Sequence, residues 1–260
     1  MLLQNKNAII YGGGGAIGSA VARAFAREGA KVFLAGRTLA KLDKVAKDIT
    51  AAGGIAETAQ VDAHDEHAID KHAAAVVAKS GSIDVSFNAI SIAGTLQGTP
   101  LIEQSPDDIA LPVKDRVTTN FLTARAAARH MVQSRTGVIL MFTATPARMA
   151  FPLTGSFGVE GAAIEGLCRS LASELGPQGV RVICIRSAGS PESFPDVPSG
   201  GTAPLGQSRA DIAAKLAERT LLKRLPSLLE VGNVAALMAS DHASPMTGTV
   251  ANITCGTIAD

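Results

Sequence analysis

Residues 12–15 are four consecutive glycines, and their neighbours decide what they mean. Before them stands Ala-Ile-Ile-Tyr at 8–11, long enough for a buried strand and too short for a helix. After them, Ile17, Val21, Ala24 and Phe25 fall at helical spacing. Strand, glycine turn and helix make a construction that binds phosphate. Without Cβ atoms the backbone can approach a diphosphate, and the unpaired N–H groups of the helix start point at it. Glycine clusters also make ordinary turns, so the flanking strand and helix are the context the motif requires.

The same alternation continues along the chain. Short apolar runs at 31–35, 56–61, 83–87, 137–143, 180–185 and 249–254 predict strands. Helical spacing covers 39–52, 68–79, 113–133, 156–175, 210–220 and 228–239. Alternating strands and helices imply right-handed βαβ units. The expected fold is a doubly wound, Rossmann-type α/β domain over 1–260, with a parallel sheet of about seven strands. Residues 95–112 read as a loop with a short helix after Ser105-Pro106, ahead of the long helix at 113–133. The Ser-, Pro- and Gly-rich stretch 187–207 reads as an insertion over the mouth of the sheet, and a mobile substrate loop is expected near 187–222.

With 47% apolar residues and a net charge of +1, a large core is easy to build and no basic stripe is available for nucleic acid. No run is long enough to span a bilayer. The first seven residues lack the pattern of a signal peptide, and a cytoplasmic, reducing setting is expected. Cys168, Cys184 and Cys255 have no metal-ligand spacing, and no metal site is expected.

The glycine turn would place a diphosphate at the carboxyl end of the first strand. At the end of the second strand, where an acid would accept from ribose hydroxyls, stand Gly36, Arg37 and Thr38. A guanidinium there can grip a 2′-phosphate, which favours NADP(H) over NAD(H), although a solvated surface Arg37 is the other reading. Asp62 ends the third strand and either accepts from an adenine amino group or caps the helix beginning near Glu66. Asn88 ends the fourth and either pins backbone or lines the cofactor trough. Asn120, on an otherwise apolar helix face, either holds a water or bonds a helix carbonyl.

Over its whole length the chain resembles the short-chain dehydrogenases/reductases. The residues that carry the resemblance are 12–18, Asp62, Asn88-Ala89, Asn120, Gly137-Val138-Ile139, Arg224-Leu225-Pro226, Val234-Ala235, Ser240-Asp241 and Thr247-Gly248. It implies a cofactor site built from Gly12, Gly14, Gly15, Ile17, Gly18, Arg37, Thr38, Asp62, Ala63, Asn88, Ala89 and Ile90. There are departures: Ala16 replaces a motif glycine, Ile90 the glycine of Asn-Asn-Ala-Gly, Ser187-Ala188-Gly189 the usual Pro-Gly, and Thr254-Cys255-Gly256 the Asp-Gly-Gly.

The catalytic residues depart furthest. The family's Ser, Tyr and Lys fall here on Ala144, Phe157 and Gly161, and only its Asn has a match, in Asn120. The sole tyrosine, Tyr11, sits at the phosphate turn. Thr143 and Thr145 flank the Ser position, and Asn120 and Thr145 are the catalytic candidates. Glu160 and Glu165 lie on the helix that would carry Tyr and Lys, as proton donors or as ordinary surface residues. Two functions follow. One is an NADP(H)-dependent oxidoreductase with a rebuilt site, acting on a small carbonyl, alcohol or activated double bond. The other is a nucleotide-binding family member without catalysis. The resemblance also implies a homodimer or homotetramer through the helices at 113–133 and 156–175.

Overall fold

The computed structural model describes residues 1–90, 97–194 and 208–259. Its strands are β1 (Asn7–Tyr11), β2 (Lys31–Gly36), β3 (Ile55–Gln60), β4 (Val85–Asn88), β5 (Gly137–Ala144), β6 (Val180–Ser187) and β7 (Thr249–Ile253). Between them run α1 (Ala16–Arg27), α2 (Leu39–Ala51), α3 (Glu66–Ser80), α4 (Pro106–Ser134), α5 (Phe157–Leu175), α6 (Arg209–Glu218) and α7 (Leu228–Ala239). All strand pairs are parallel, in the order β3-β2-β1-β4-β5-β6-β7. The order reverses between β1 and β4, and a crevice opens there at the carboxyl ends of the strands.

Strand residues alternate between two cores because successive side chains leave opposite faces. Ala8 and Ile10 join Val21, Phe25, Leu34, Leu140 and Val231 on the α1, α2 and α7 side. Ile9 and Tyr11 join Phe33, Ile69, Leu122, Met131 and Ile164 on the α3, α4 and α5 side. Both faces of the sheet are thus covered, which is why its central strands read as unbroken apolar runs.

Two sequence expectations are corrected. The short helix after Ser105-Pro106 and the long helix at 113–133 are one: α4 runs through Pro112 from Pro106 to Ser134. A capping box, Ser105 with Asp108, and Pro106 in the first turn fix the start of α4, and the buried face from Thr119 to Met131 holds the rest. One missing N–H is tolerated against that anchoring. Asp62 does not cap α3; Asp65 does, accepting from the Ala68 amide. The helix expected over 210–220 is α6, started by a second capping box, Ser208 with Asp211, and Ser187 ends β6. Residues 195–207 of the expected loop lie outside the described residues.

The glycine turn is held by close backbone approaches. Gly12 has φ +76°, and a Cβ there would lie 2.8 Å from the Ala89 carbonyl carbon. A Cβ on Gly18 would lie 2.3 Å from the Gly12 carbonyl oxygen. Gly18→Ala must therefore push α1 off the turn. It is expected to destabilise the fold by about 1–3 kcal/mol, read as a lower urea midpoint at unchanged slope.

Candidate active site

The crevice at the switch point is a cleft of about 330 Å³. Gly12, Gly14, Gly15, Arg37, Thr38, Asp62, Ala63, Ala89 and Ile90 line it together, and Ile17, Gly18 and Asn88 do not. α1 has Gly15 as its N-cap, with no side-chain cap and no acid in its first turn, so among the described residues no side chain caps its first amides. Gly14 leaves room for the Lys41 side chain, whose Cβ would sit 2.9 Å from a Cβ at 14. The cleft therefore fits a diphosphate at the helix start, with Arg37 and Lys41 on the side of the second strand. A nicotinamide dinucleotide matches this donor set.

Asn88 pins the wall of the cleft from behind. Its amide donates to the Thr119 carbonyl at 3.1 Å and to Thr123 Oγ1 at 2.9 Å, and its oxygen accepts from the Ile90 amide at 3.0 Å. Asp62 Oδ1 accepts from the His64 amide at 3.0 Å. That bond, then the His64 side chain and Arg37, holds its carboxyl below the usual range, against a smaller opposing effect of burial. Lys41, His64 and Asp115 also line the cleft, and sequence reading did not single them out.

The positions that the resemblance assigns to catalysis lie where β5 and α5 meet. Ala144 ends β5, and the chain turns at once through a 3₁₀ turn at 145–147. This turn packs on α5. A Cβ on Gly158 would lie 2.9 Å from the Pro146 carbonyl, and one on Gly161 would lie 2.7 Å from Ala147 Cβ. The place of the family's lysine is thus filled by backbone and an alanine methyl. No lysine occurs between Lys114 and Lys215. Tyr11 is no substitute for the missing tyrosine. Its ring packs edge-on against His72 of α3, and burial raises the phenol above its ordinary range.

Glu160 and Glu165 are not surface residues; they are 4% and 5% exposed. Glu165 receives two bonds from Arg186, Nε to Oε1 at 2.8 Å and Nη2 to Oε2 at 2.9 Å, and a third from Thr143 Oγ1 at 3.1 Å. Arg186 is 3% exposed, so this pair is out of water. Glu160 accepts from Ser156 Oγ at 2.7 Å. Arg116 of α4 donates to the carbonyls of Ile90 and Phe142, the latter at 2.8 Å. Burial lowers its pKa and the nearby Glu160 opposes that. Buried charges thus come from α4, α5 and β6 to the end of the sheet that lost its Ser, Tyr and Lys.

The two catalytic candidates are both buried there. Asn120 donates to the Arg116 carbonyl at 2.9 Å, while its Oδ1 is buried and accepts from no group among the described residues. Thr145 opens the 3₁₀ turn and bonds the amides of Arg148 and Met149 through its carbonyl. Cys184 lies 3.4 Å from Thr143 Oγ1, and burial raises its thiol; burial also pushes Cys168 up to about 12. Both thiols are inert in this setting. The sequence signal for the ion pair was Arg186 following the apolar run at 182–185, a charge that needs a counter-ion once buried. Glu165→Gln is expected to cost about 3–5 kcal/mol in urea unfolding. Pairing it with Arg186→Met should recover part of that loss.

Residues 14–257 match the family described as Enoyl-(Acyl carrier protein) reductase. An uncharacterized oxidoreductase of Mycobacterium tuberculosis is 31% identical over 95% of this chain and 89% of its own length. A probable 2,4-dienoyl-CoA reductase 3 of Caenorhabditis elegans is 31% identical over 98% of this chain and 81% of its own length. A dehydrogenase/reductase from Sinorhizobium meliloti superposes with a TM-score of 0.83 at 25% identity, covering 99% of this chain and 96% of that one. NAD+-bound xylitol dehydrogenase shares the fold, with a TM-score of 0.85 at 24% identity over 98% of this chain and 100% of that one. A parallel seven-stranded sheet with this glycine turn at its switch point, and likeness of this extent, place the chain in the short-chain dehydrogenase/reductase family of oxidoreductases.

Proposed function

We propose that the protein is an NADP(H)-dependent oxidoreductase that moves a hydride to or from a small carbonyl or alcohol, or to an activated carbon–carbon double bond, with a rebuilt proton-handling site. The observation that carries this reading is the cleft in which an uncapped helix start meets two cations, Arg37 and Lys41, with no acid at the end of β2. The activated double bond draws support from the family description and from the name of the nematode relative.

Bound nicotinamide would supply or accept the hydride. The amides at the start of α1 hold the diphosphate, and Gly12 and Gly14 allow its close approach. Arg37 and Lys41 take the 2′-phosphate, Thr38 flanks it, and Asp62 with Ala63 meets the adenine. Ala89 and Ile90 form the wall that Asn88 fixes. No tyrosine delivers the proton. Asn120, whose Oδ1 is open to a donor, holds a water near the reacting atoms, and Thr145 offers a hydroxyl beside it. In enoyl reduction that water would be the proton source for the α-carbon, with its hydroxide returned to solvent.

We place the working form as a homodimer or homotetramer. Phe121 on α4 and Val159 on α5 leave apolar surface exposed on the two helices that would meet a partner subunit. Free cysteines fit a reducing, cytoplasmic setting.

Nucleotide titration with the double variant Arg37→Ala/Lys41→Ala tests the cofactor. NADPH affinity should fall about 10- to 100-fold, with NADH affinity nearly unchanged. Tighter binding of NADH by the parent protein would overturn the NADP(H) assignment. NADPH oxidation should be followed against a panel of small carbonyls and enoyl thioesters. Turnover that drops at least about ten-fold in Asn120→Leu is expected. Binding without turnover on any of them would leave a nucleotide-binding protein that does not catalyse.

A further inference from the structure

The sheet splits at its switch-point end, and one side chain bridges the split. The ladder between β4 and β5 has its last pair at Phe87 and Leu140, while β5 stays paired with β6 as far as Ala144 and Ser187. Past that pair the two chains part, and Arg116 of α4 reaches between them. It donates through Nη1 to the Ile90 carbonyl and through Nη2 to the Phe142 carbonyl, the latter at 2.8 Å. Ile90 lines the cleft and Phe142 belongs to the end of β5, whereas Arg116 itself does not line the cleft. The Arg116 carbonyl accepts from Asn120 Nδ2 at 2.9 Å, so the same turn of α4 also orients a catalytic candidate.

A guanidinium is a planar fork that serves two separate acceptors at once, whereas an ammonium is a compact point donor. Ordered water could serve two carbonyls without bringing a charge out of solvent. Here a charge is brought in, with Glu160 of α5 beside it, and such pairs fix geometry more than they add stability. The strand order says which geometry matters. Arg37 and Asp62 mark the adenine end of the cleft on the β2 and β3 side, and the glycine turn follows at β1. The nicotinamide half of a dinucleotide must then run past Ala89 and Ile90 toward β5.

We propose that Arg116 is a positioning residue: it sets the gap between the cleft wall at Ile90 and the end of β5, and so seats the nicotinamide without touching it. This rests on the nucleotide-binding reading above and names a residue that the reading does not use. Cutting the bridge loosens the nicotinamide half of the site alone, because the adenine and phosphate contacts lie on the far side of β1. Arg116→Met keeps the bulk and removes both donors. Arg116→Lys keeps the charge beside Glu160 and serves one carbonyl at a time.

Isothermal titration of the full chain with NADPH and with ADP-ribose 2′-phosphate, which lacks the nicotinamide, tests this. NADH and ADP-ribose form a second pair, so the result does not depend on which cofactor is preferred. The parent should bind each dinucleotide more tightly than its truncated counterpart. Arg116→Met should lose about ten-fold or more in dinucleotide affinity, while the truncated ligands change by less than about two-fold. Arg116→Lys should fall between, and the fluorescence of bound NADPH should move toward that of the free cofactor in the order parent, Lys, Met. Should Arg116→Met fail to fold, the same split between whole and truncated ligands is expected in Arg116→Lys alone. Equal losses for both kinds of ligand, unchanged affinity for both, or no nicotinamide advantage in the parent would overturn the positioning role alone. Absence of binding of all four nucleotides would overturn it together with the nucleotide site.

Discussion

The close approach of two strand ends sets the rest of this molecule. β1 and β4 are neighbours, and the chain beyond β1 must turn so tightly that its carbonyls and amides lie against Ala89 and Ile90. A side chain at Gly12 would meet that backbone, and one at Gly18 would meet Gly12 itself. Because neither exists, α1 can start directly above the switch point with its amides bare. The cleft and its place between the halves of the sheet are consequences of that contact.

At the other side of the crevice the chain shows a different economy. Where relatives of this fold keep a lysine on the fifth helix, glycines at 158 and 161 let the turn after β5 settle onto that helix. Positive charge returns from elsewhere, through Arg116 on α4 and Arg186 on β6. Each faces a carboxylate of α5, Glu160 and Glu165 respectively. Fully desolvated pairs rarely add stability over apolar side chains of the same volume, so their presence at the end of β5 and β6 points to fixing geometry. Thr143, tied to Glu165, is fixed by the same network one residue from where β5 ends. Buried, paired charges thus surround the end of β5, and the cleft at the switch point keeps its glycine turn.

The fold was readable because its signals are local and repeated. Apolar runs of strand length alternating with helical spacing fix a parallel α/β sheet, and the glycines at 12–15 mark the switch point. Element ends were readable where a cap or glycine stood. They were not readable at Pro112, where burial of Thr119 to Met131 farther along α4 outweighs the lost hydrogen bond. Of the cleft, the glycines, Arg37 and Asp62 announce themselves by position after a strand. Lys41, His64 and Asp115 do not, because each looks like one more polar residue on an exposed stretch.

The sequence by itself determined the class of fold, the glycine turn after the first strand and which residue types stand at 144, 157 and 161, since each depends on residue type at a fixed spacing. Only the tertiary structure decided what the remaining charges do. Glu160 and Glu165 look like surface carboxylates along the helix, and the packing of α5 against β5 and α4 takes them out of water. Once there, each needs a partner, and those partners lie on other elements, at separations no periodicity encodes: Arg186 is 21 residues from Glu165 along the chain and 2.8 Å away in space. Spacing carries what neighbours along the chain must do, and packing alone brings together what distant residues must balance.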